Sequence, residues 1–382
     1  MFPDFNIYST PLLVLVFQGL LLAFMLAYRY KSKSVAADIF LAILVLITCY
    51  HRTTYTIGFM SWYDTFRNTK INYYLISLGL ASGPLIYYYI KASVEESFSF
   101  TKKDTLHFLP VILFVLFYAF VYVYDLNQPG FADTQNGVLF SWAMEHLSVM
   151  FSVLFTLQLL IYLVLSFKLY YLFRNRLVQE YSNTYKYELR WLRNFLFAYT
   201  FLFVYDVIQM ITEGYIFDLH WTEEWWYQFC SALVVIYVGV MGYFTPLENV
   251  KKIKLSKSID PLENDSVVEE FKFQDDLNHV CKLIKSEKLY LDPNLSLSQL
   301  SRKVKLSSSQ LSFIINKGKG INFNDFINQY RVEYVKTQLI DPDKKHLTIL
   351  AIAYDSGFNS KATFNRVFKR ISGDSPSSFR EK

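Results

Sequence analysis

Seven stretches of mostly apolar residues, roughly 11–28, 36–57, 71–90, 106–124, 146–172, 195–213 and 226–244, dominate the first two thirds of this chain. Each comes close to the about 20 helical residues that a bilayer core requires. In lipid a helix satisfies its own backbone groups, so such runs have little else to become. The sequence therefore predicts an all-α chain that opens with an N-terminal bundle of about seven transmembrane helices. Composition agrees: 53% hydrophobic and 19% charged residues are too apolar for two or three soluble domains in 382 residues.

Charge is divided unevenly along the chain. Residues 1–250 hold 15 Lys and Arg against 17 Asp and Glu, net −2, whereas residues 251–382 hold 23 against 16, net +7. Lys and Arg collect on the cytoplasmic side of a membrane. Successive segments carry 0 before the first run, 3 in 29–35, 3 in 52–70, 3 in 91–103, 0 in 125–145, 6 in 168–193, 0 in 214–225 and 4 in 251–257. Only 52–70 breaks the alternation. The expected topology is multi-pass, N-terminus outside, with the basic C-terminal part in the cytoplasm. Trp62, Trp142, Trp221, Trp225 and Trp226 fall at outer boundaries and Trp191 at an inner one, where indole rings prefer to sit. The first run has no basic n-region or small-residue cleavage site and is followed by Arg29, Lys31 and Lys33, so it reads as a retained anchor.

Within the apolar runs few residues carry chemistry. Gly83 and Pro84 should kink the third span, as packing or as a signalling hinge. Asp206 is the one acid in the middle of an apolar run, either a functional group or half of an interhelical hydrogen bond. Glu145 and His146 stand at the edge of the fifth span and read as structural. Cys49, Cys230 and Cys281 lie far apart and form no disulfide framework or CxxC site. No Walker loop, HExxH or nucleophile elbow occurs, and no cofactor or metal is expected.

The C-terminal third has a different grammar. Residues 246–290 read as a polar linker followed by an amphipathic signalling helix, with Phe273, Leu277, Val280, Cys281 and Ile284 at helical steps. That helix could pack on the domain that follows or on its own copy in a dimer. From Leu291 short helices with capping residues begin. SLSQLSRKV (296–304) opens with a capping box, and LSSSQLSFIIN (306–316) supplies a second helix. A long helix over 322–340 would join this pair to another: one from Thr348 to Asp355, a stop at Gly357, and one from about Ser360. There Phe364, Val367, Phe368 and Ile371 face inward. The opposite face carries Lys361, Asn365, Arg366 and Lys369, side chains suited to base edges near the helix start and to phosphate farther along, where Arg370 also stands. A solvated surface would be the usual account of one basic face; two strut-connected helix-turn-helix units favour DNA.

AYDSGFNSKATFNRVFKRISGDSPSSFR (353–380) matches A-x-x-x-GF-x-S-x-x-x-F-x-R-x-FK followed by G-x-x-P-x-x-aromatic-R, through Gly357, Phe358, Ser360, Phe364, Arg366, Phe368, Lys369, Gly373, Pro376, Phe379 and Arg380. Residues 291–382 thus resemble the C-terminal DNA-binding domain of AraC/XylS-type transcriptional regulators. The resemblance implies two helix-turn-helix units that present two recognition helices to adjacent major-groove segments. In the first unit the candidates are Ser308, Ser309, Gln310, Ser312, Phe313 and Lys317, with Lys319 as a further phosphate contact. Phe313 stands where polar or basic side chains are frequent in the family, so this unit would read through short hydroxyls or thymine methyl groups.

The expected organisation is a seven-span sensor over 1–245, a linker and signalling helix over 246–290, and a double helix-turn-helix domain over 291–382. Function follows as an expectation: a one-component, non-enzymatic regulator in a bacterial cytoplasmic membrane that senses an unknown signal and binds double-stranded promoter DNA. A homodimer is expected, and RNA polymerase stands among the candidate partners. The competing readings are a transporter or membrane enzyme with a regulatory tail, and a tail that binds protein only.

Overall fold

The computed structural model describes residues 2–66, 70–96, 98–129, 131, 135–184, 189–245 and 268–381, with 268–272 as backbone only. Among the described residues the chain is nearly all helix, without strands. It divides into two compact units: Met1–Tyr170 with Leu189–Lys252, and Tyr171–Glu188 with Ile253–Lys382.

The first unit is built from α1 (Ser9–Lys33), α2 (Ala36–Phe59), α3 (Trp62–Phe66), α4 (Ile71–Tyr74), α5 (Ser82–Val94), α6 (Leu109–Leu126), most of α7 (Val138–Glu180), α8 (Arg190–Tyr215) and α9 (Trp221–Phe244). α1, α2, α5 and α9 form its centre, with Leu12, Leu26, Leu41, Val45 and Ile86 fully buried. At one end of this group Arg29 donates to both carboxylate oxygens of Asp38, at 2.5 and 2.6 Å, and to the carbonyls of Gly242, at 2.9 Å, and Tyr243. Arg29 therefore neutralises its charge inside the unit, tying α1, α2 and α9 together.

Residues 71–90, expected to form one kinked span, are instead α4, a 3-10 turn at Gly79–Ala81, and α5. The physical reason lies at Pro84. It is the third residue of α5, in a first turn where no intrahelical donor is required, so proline is accommodated as part of a helix start. Gly83 beside it allows close packing: a Cβ there would stand 2.8 Å from Cδ2 of Tyr162 on α7. The Leu78 N–H, outside any helix, donates to His51 Nε2 at 2.7 Å. Among the described residues six helices, where seven spans were expected, are long and apolar enough to cross a membrane: α1, α2, Asp104–Leu126, α7, α8 and α9. Several present large apolar side chains outward, such as Leu113, Leu116 and Phe120 on α6 and Val149, Leu157 and Ile161 on α7. Exposed apolar surface on that scale calls for a nonaqueous neighbour.

The start of α7 is set by a buried acid. Asp125, in the last turn of α6, accepts the N–H groups of Leu139 and Phe140 at 2.8 and 2.9 Å and the Tyr73 hydroxyl at 2.8 Å. The carboxylate thus satisfies donors that the first turn leaves open.

In the second unit, α10 (Val268–Ser286) is followed by α11 (Leu297–Val304), α12 (Ser308–Lys319), α13 (Phe323–Ile340), α14 (Ile349–Asp355), α15 (Lys361–Ser372) and α16 (Pro376–Arg380). These bounds follow the capping residues read from sequence. The strut α13 serves two cores: Phe323, Phe326 and Ile327 join Val280, Ile284, Leu300, Leu311 and Ile315, whereas Val332, Val335 and Leu339 join Ile352, Phe358, Phe364 and Phe368. The apolar face of α10 is thereby used within its own domain, the first of the two packings considered for it. The expected linker lies outside the described residues as far as position 267.

Candidate nucleic-acid interface

Each recognition helix is placed by local chemistry. Ser296 and Gln299 close a reciprocal capping box on α11, and Ser307 and Gln310 close another on α12, with the Ser307 N–H donating to Gln310 Oε1 at 2.9 Å. Lys305 takes the left-handed conformation at φ +56° and ends α11 sharply. In the second unit the Thr348 and Ser360 hydroxyls accept from Ala351 and Thr363, and Gly357 makes the turn at φ +87°. Glycine is required at that turn. A Cβ on Gly357 would stand 2.5 Å from the Tyr290 carbonyl oxygen and 2.9 Å from Arg331 Nε.

α15 separates its faces as expected. Phe364, Val367 and Phe368 are buried, while Lys361, Asn365, Arg366 and Lys369 are all exposed on the other side. None of these four makes an ion pair or side-chain hydrogen bond among the described residues, so three cations and an amide stand in solvent. Arg370 differs: it pairs with Asp325 of α13 at 2.5 Å. That residue joins the strut to α15 and is not a free phosphate ligand.

α12 offers less. Ser309 and Gln310 are exposed, but Gln310 is engaged in the capping box. Ser308 is half-buried, 3.2 Å from the Ser301 hydroxyl, and Ser312 is buried, accepting from Asn316 at 3.4 Å. Phe313 meets Phe273 of α10 edge to face at 6.3 Å, and Lys317 Nζ lies 5.5 and 5.4 Å from these two rings. Gly318 permits the approach, since a Cβ there would stand 2.6 Å from Leu277. Phe313 is thus half of an aromatic contact with α10, and Ser312 is withdrawn from the surface. Lys319 is exposed.

One set of residues escaped the sequence reading. Arg331 is fully buried and donates to the carbonyls of Tyr290, Ser182 and Asp292 at 2.7, 2.9 and 2.8 Å, and to the Ser182 hydroxyl at 3.0 Å. Burial pushes its pKa down, to about 9, against the supporting charge of Asp292. Asn324 donates to the Tyr181 and Ser182 carbonyls at 3.2 and 2.9 Å, and the Ser182 N–H donates to Leu295 O at 3.1 Å. The stretch that follows α7 is therefore held as an integral part of this unit. Arg331 shares the face of Ile327 and Val335, an arginine in an otherwise apolar row, and that signal was available.

Of the signalling candidates, Gly83 and Pro84 stand at the start of α5. Asp206 lines an open cavity in the first unit together with Arg52 and Tyr227. No group of three or more His, Cys, Asp or Glu suited to a metal occurs among the described residues.

Comparison with known proteins bears on the second unit. Residues 300–382 match a family model described as a helix-turn-helix domain. An uncharacterized HTH-type transcriptional regulator of Staphylococcus aureus (strain COL) is 38% identical over 106 residues, 28% of this chain and 13% of that protein. The Msm operon regulatory protein of Streptococcus mutans is 30% identical over 106 residues, 28% of this chain and 36% of that protein. A solved protein of unknown function from Listeria innocua is 28% identical, covering 28% of this chain and 94% of that one, at a TM-score of 0.25. The chain thus spans only 13% of the length of the staphylococcal relative. With the paired capped helices, the strut between them and the exposed face of α15, the family match and the two regulators identify the C-terminal quarter of the chain as an AraC-type helix-turn-helix domain, which follows several apolar helices in the sequence.

Proposed function

We propose that this protein is a membrane-bound, one-component transcription regulator: its apolar helices cross the cytoplasmic membrane and sense a signal, and its C-terminal domain binds promoter DNA in the cytoplasm. The observation that carries the reading is the face of α15. Lys361, Asn365, Arg366 and Lys369 are exposed and have no side-chain partners among the described residues, within a domain of the AraC type. Near the helix start Lys361, Asn365 and Arg366 can meet guanine and adenine edges, and Lys369 can meet phosphate. The six apolar helices, with the broken segment α4–α5 taken as a seventh crossing, and the asymmetry of Lys and Arg support membrane insertion with the N-terminus outside and the C-terminal domain in the cytoplasm.

In this reading α12 contributes chiefly through Ser309 and backbone contacts, and α15 carries most of the sequence choice. A signal must bias two states of the sensor to alter DNA binding. The linker into α10 is one route. The stretch 181–184, held by Asn324 and Arg331, is a second, because it continues directly from α7. A homodimer, if two adjacent half-sites are read by two tails, would use a surface other than the apolar face of α10; RNA polymerase is the natural further partner of such a domain on promoter DNA.

The test is made in cells that produce the full chain. It should pellet with membranes and, after crosslinking, enrich a discrete set of promoter fragments. A Lys361→Ala/Arg366→Ala variant should remain in the membrane and lose that enrichment. Equal enrichment by the variant would remove α15 from DNA recognition and favour a tail that binds protein.

A further inference from the structure

The first unit contains an open cavity of about 480 Å³ among α2, α5, α7, α8, α9 and the broken stretch before α5. Its walls combine aromatic surface from Tyr55, Phe155, Tyr199 and Phe203 with a few polar groups: His51, Arg52, Asp206 and Gln228. That size and that mixture are those of a small-molecule site. Three polar atoms of its lining, Arg52 Nε, the Tyr199 hydroxyl and Gln228 Oε1, lack hydrogen-bond partners among the described residues. Arg52 is 8%, Tyr199 7% and Gln228 3% exposed, so among the described residues each of these atoms is buried without a partner. Leaving such a group unmet is costly, and more so when it is charged. Three in a single cavity indicate something that the cavity is built to receive.

The donors and acceptors define its chemistry. Arg52 is held with its guanidinium carbon 5.4 Å from the Tyr227 ring centroid, and among the described residues no carboxylate lies within ion-pair distance of it. Asp206, on the wall of the same cavity, attracts this buried cation from beyond ion-pair distance, which leaves its guanidinium able to receive an anion directly. Gln228 Oε1 calls for an N–H or O–H donor, and the exposed Asp206 carboxylate, already hydrogen-bonded to Tyr227, has lone pairs for another. His51 accepts from Leu78 on Nε2, which leaves its other ring nitrogen as a further donor. The aromatic wall suits an apolar body.

We infer that this cavity binds a small carboxylate that also bears an amino or hydroxyl group, the class of amino and hydroxy acids. Its carboxylate meets Arg52 and its donor meets Gln228 and Asp206. The inference deepens the proposed function by naming the class of signal. It rests on that reading for one point, that Arg52, Asp206 and Tyr227 lie in the outer half of their spans, so that the ligand enters from outside the cell. Filling the cavity joins α2, α8 and α9 through one molecule, the kind of differential contact that can shift a two-state bundle.

The experiment uses the full chain in lipid nanodiscs. Thermal unfolding is followed with L-leucine, L-phenylalanine, L-lactate and 4-hydroxybenzoate as probes, each beside its uncharged amide. At least one carboxylate should raise the midpoint saturably while its amide does not. Arg52→Gln should weaken that probe roughly tenfold to a hundredfold, as loss of a charged hydrogen bond does. Gln228→Leu, which keeps Arg52 in place, should weaken it by a smaller factor, so a misfolded Arg52 variant leaves the idea open to refutation. Failure of every probe, equal response to acid and amide, or full affinity in both variants would overturn the site and leave a cavity filled by water. Promoter binding by the same preparation is scored separately. Probe binding without DNA binding counts against the regulator and retains the site, and DNA binding without any probe response does the reverse.

Discussion

The Arg331 guanidinium donates to the Ser182 carbonyl at 2.9 Å and to the Ser182 hydroxyl at 3.0 Å, across 149 positions of sequence. Ser182 follows α7, one of the six apolar helices, and Arg331 lies at the middle of the strut that serves both helix-turn-helix cores. Five donors arranged in a fixed plane suit an arginine to gather several carbonyls at once. Arg331→Leu should therefore leave the Tyr290 carbonyl unmet, remove the bonds to the Ser182 and Asp292 carbonyls, which keep Asn324 and Leu295 as donors, and destabilise the second unit by about 3 kcal/mol or more. Ser182→Ala, which keeps the carbonyl contacts, should cost about 1 kcal/mol. Hydrogen exchange over 181–184 and 290–295 would check the difference, with faster exchange in both segments for Arg331→Leu and little change for Ser182→Ala.

The glycines of the DNA-binding half separate two physical effects. Gly357 and Gly373 both have positive φ, +87° and +83°, but a Cβ on Gly373 meets nothing within 4 Å, whereas one on Gly357 strikes a backbone carbonyl. Gly373→Ala should show only conformational strain, about 1 kcal/mol. Gly357→Ala should be several times worse, because the Tyr290 carbonyl is fixed by Arg331. Denaturant midpoints of the two variants would read the contrast.

Asp125 and Gly137 form a similar pair at the start of α7. A Cβ on Gly137 would stand 2.2 Å from the Asp125 carboxyl carbon, and that carboxylate caps the helix. Gly137→Ala and Asp125→Ala should each lower the thermal stability of the full chain, Asp125→Ala by about 2 kcal/mol through the lost cap and the unmet Tyr73 hydroxyl. A circular-dichroism melt in detergent is sufficient.

The two recognition helices should contribute unequally. Lys369→Ala is expected to weaken all DNA sequences alike and to lower the salt slope by about one. Phe313→Ala removes the contact with Phe273 rather than a base contact, so it should reduce domain stability and leave sequence preference unchanged. Titrations at several salt concentrations, beside thermal melts, separate the two effects.

What the sequence made legible was mostly local. Ser296 with Gln299, Ser307 with Gln310, Thr348 and Ser360 act within four residues of themselves, so the helix starts of the C-terminal domain could be read directly. The third span misled because proline admits two outcomes: Pro84 kinks a helix when it is internal and begins one when it lies in the first turn, and the choice depends on packing around Gly83 and Tyr162. The contacts of Phe313 with Phe273, and of Ser182 with Arg331, are tertiary. No periodicity announces them. The cavity is likewise made of residues from six parts of the chain, of which only Asp206 stood out as an acid in an apolar run.

The central claim is that this apolar-helix chain reads a DNA sequence. Its most direct test is selection of binding sites from random DNA by the full chain in nanodiscs, repeated with Lys361→Ala/Arg366→Ala and at several salt concentrations. The account expects one enriched motif, with two half-elements about one helical turn apart and the stronger half assigned to α15, lost in the double variant. Salt-sensitive retention of DNA with no enriched motif, or the same motif from the variant, would contradict it.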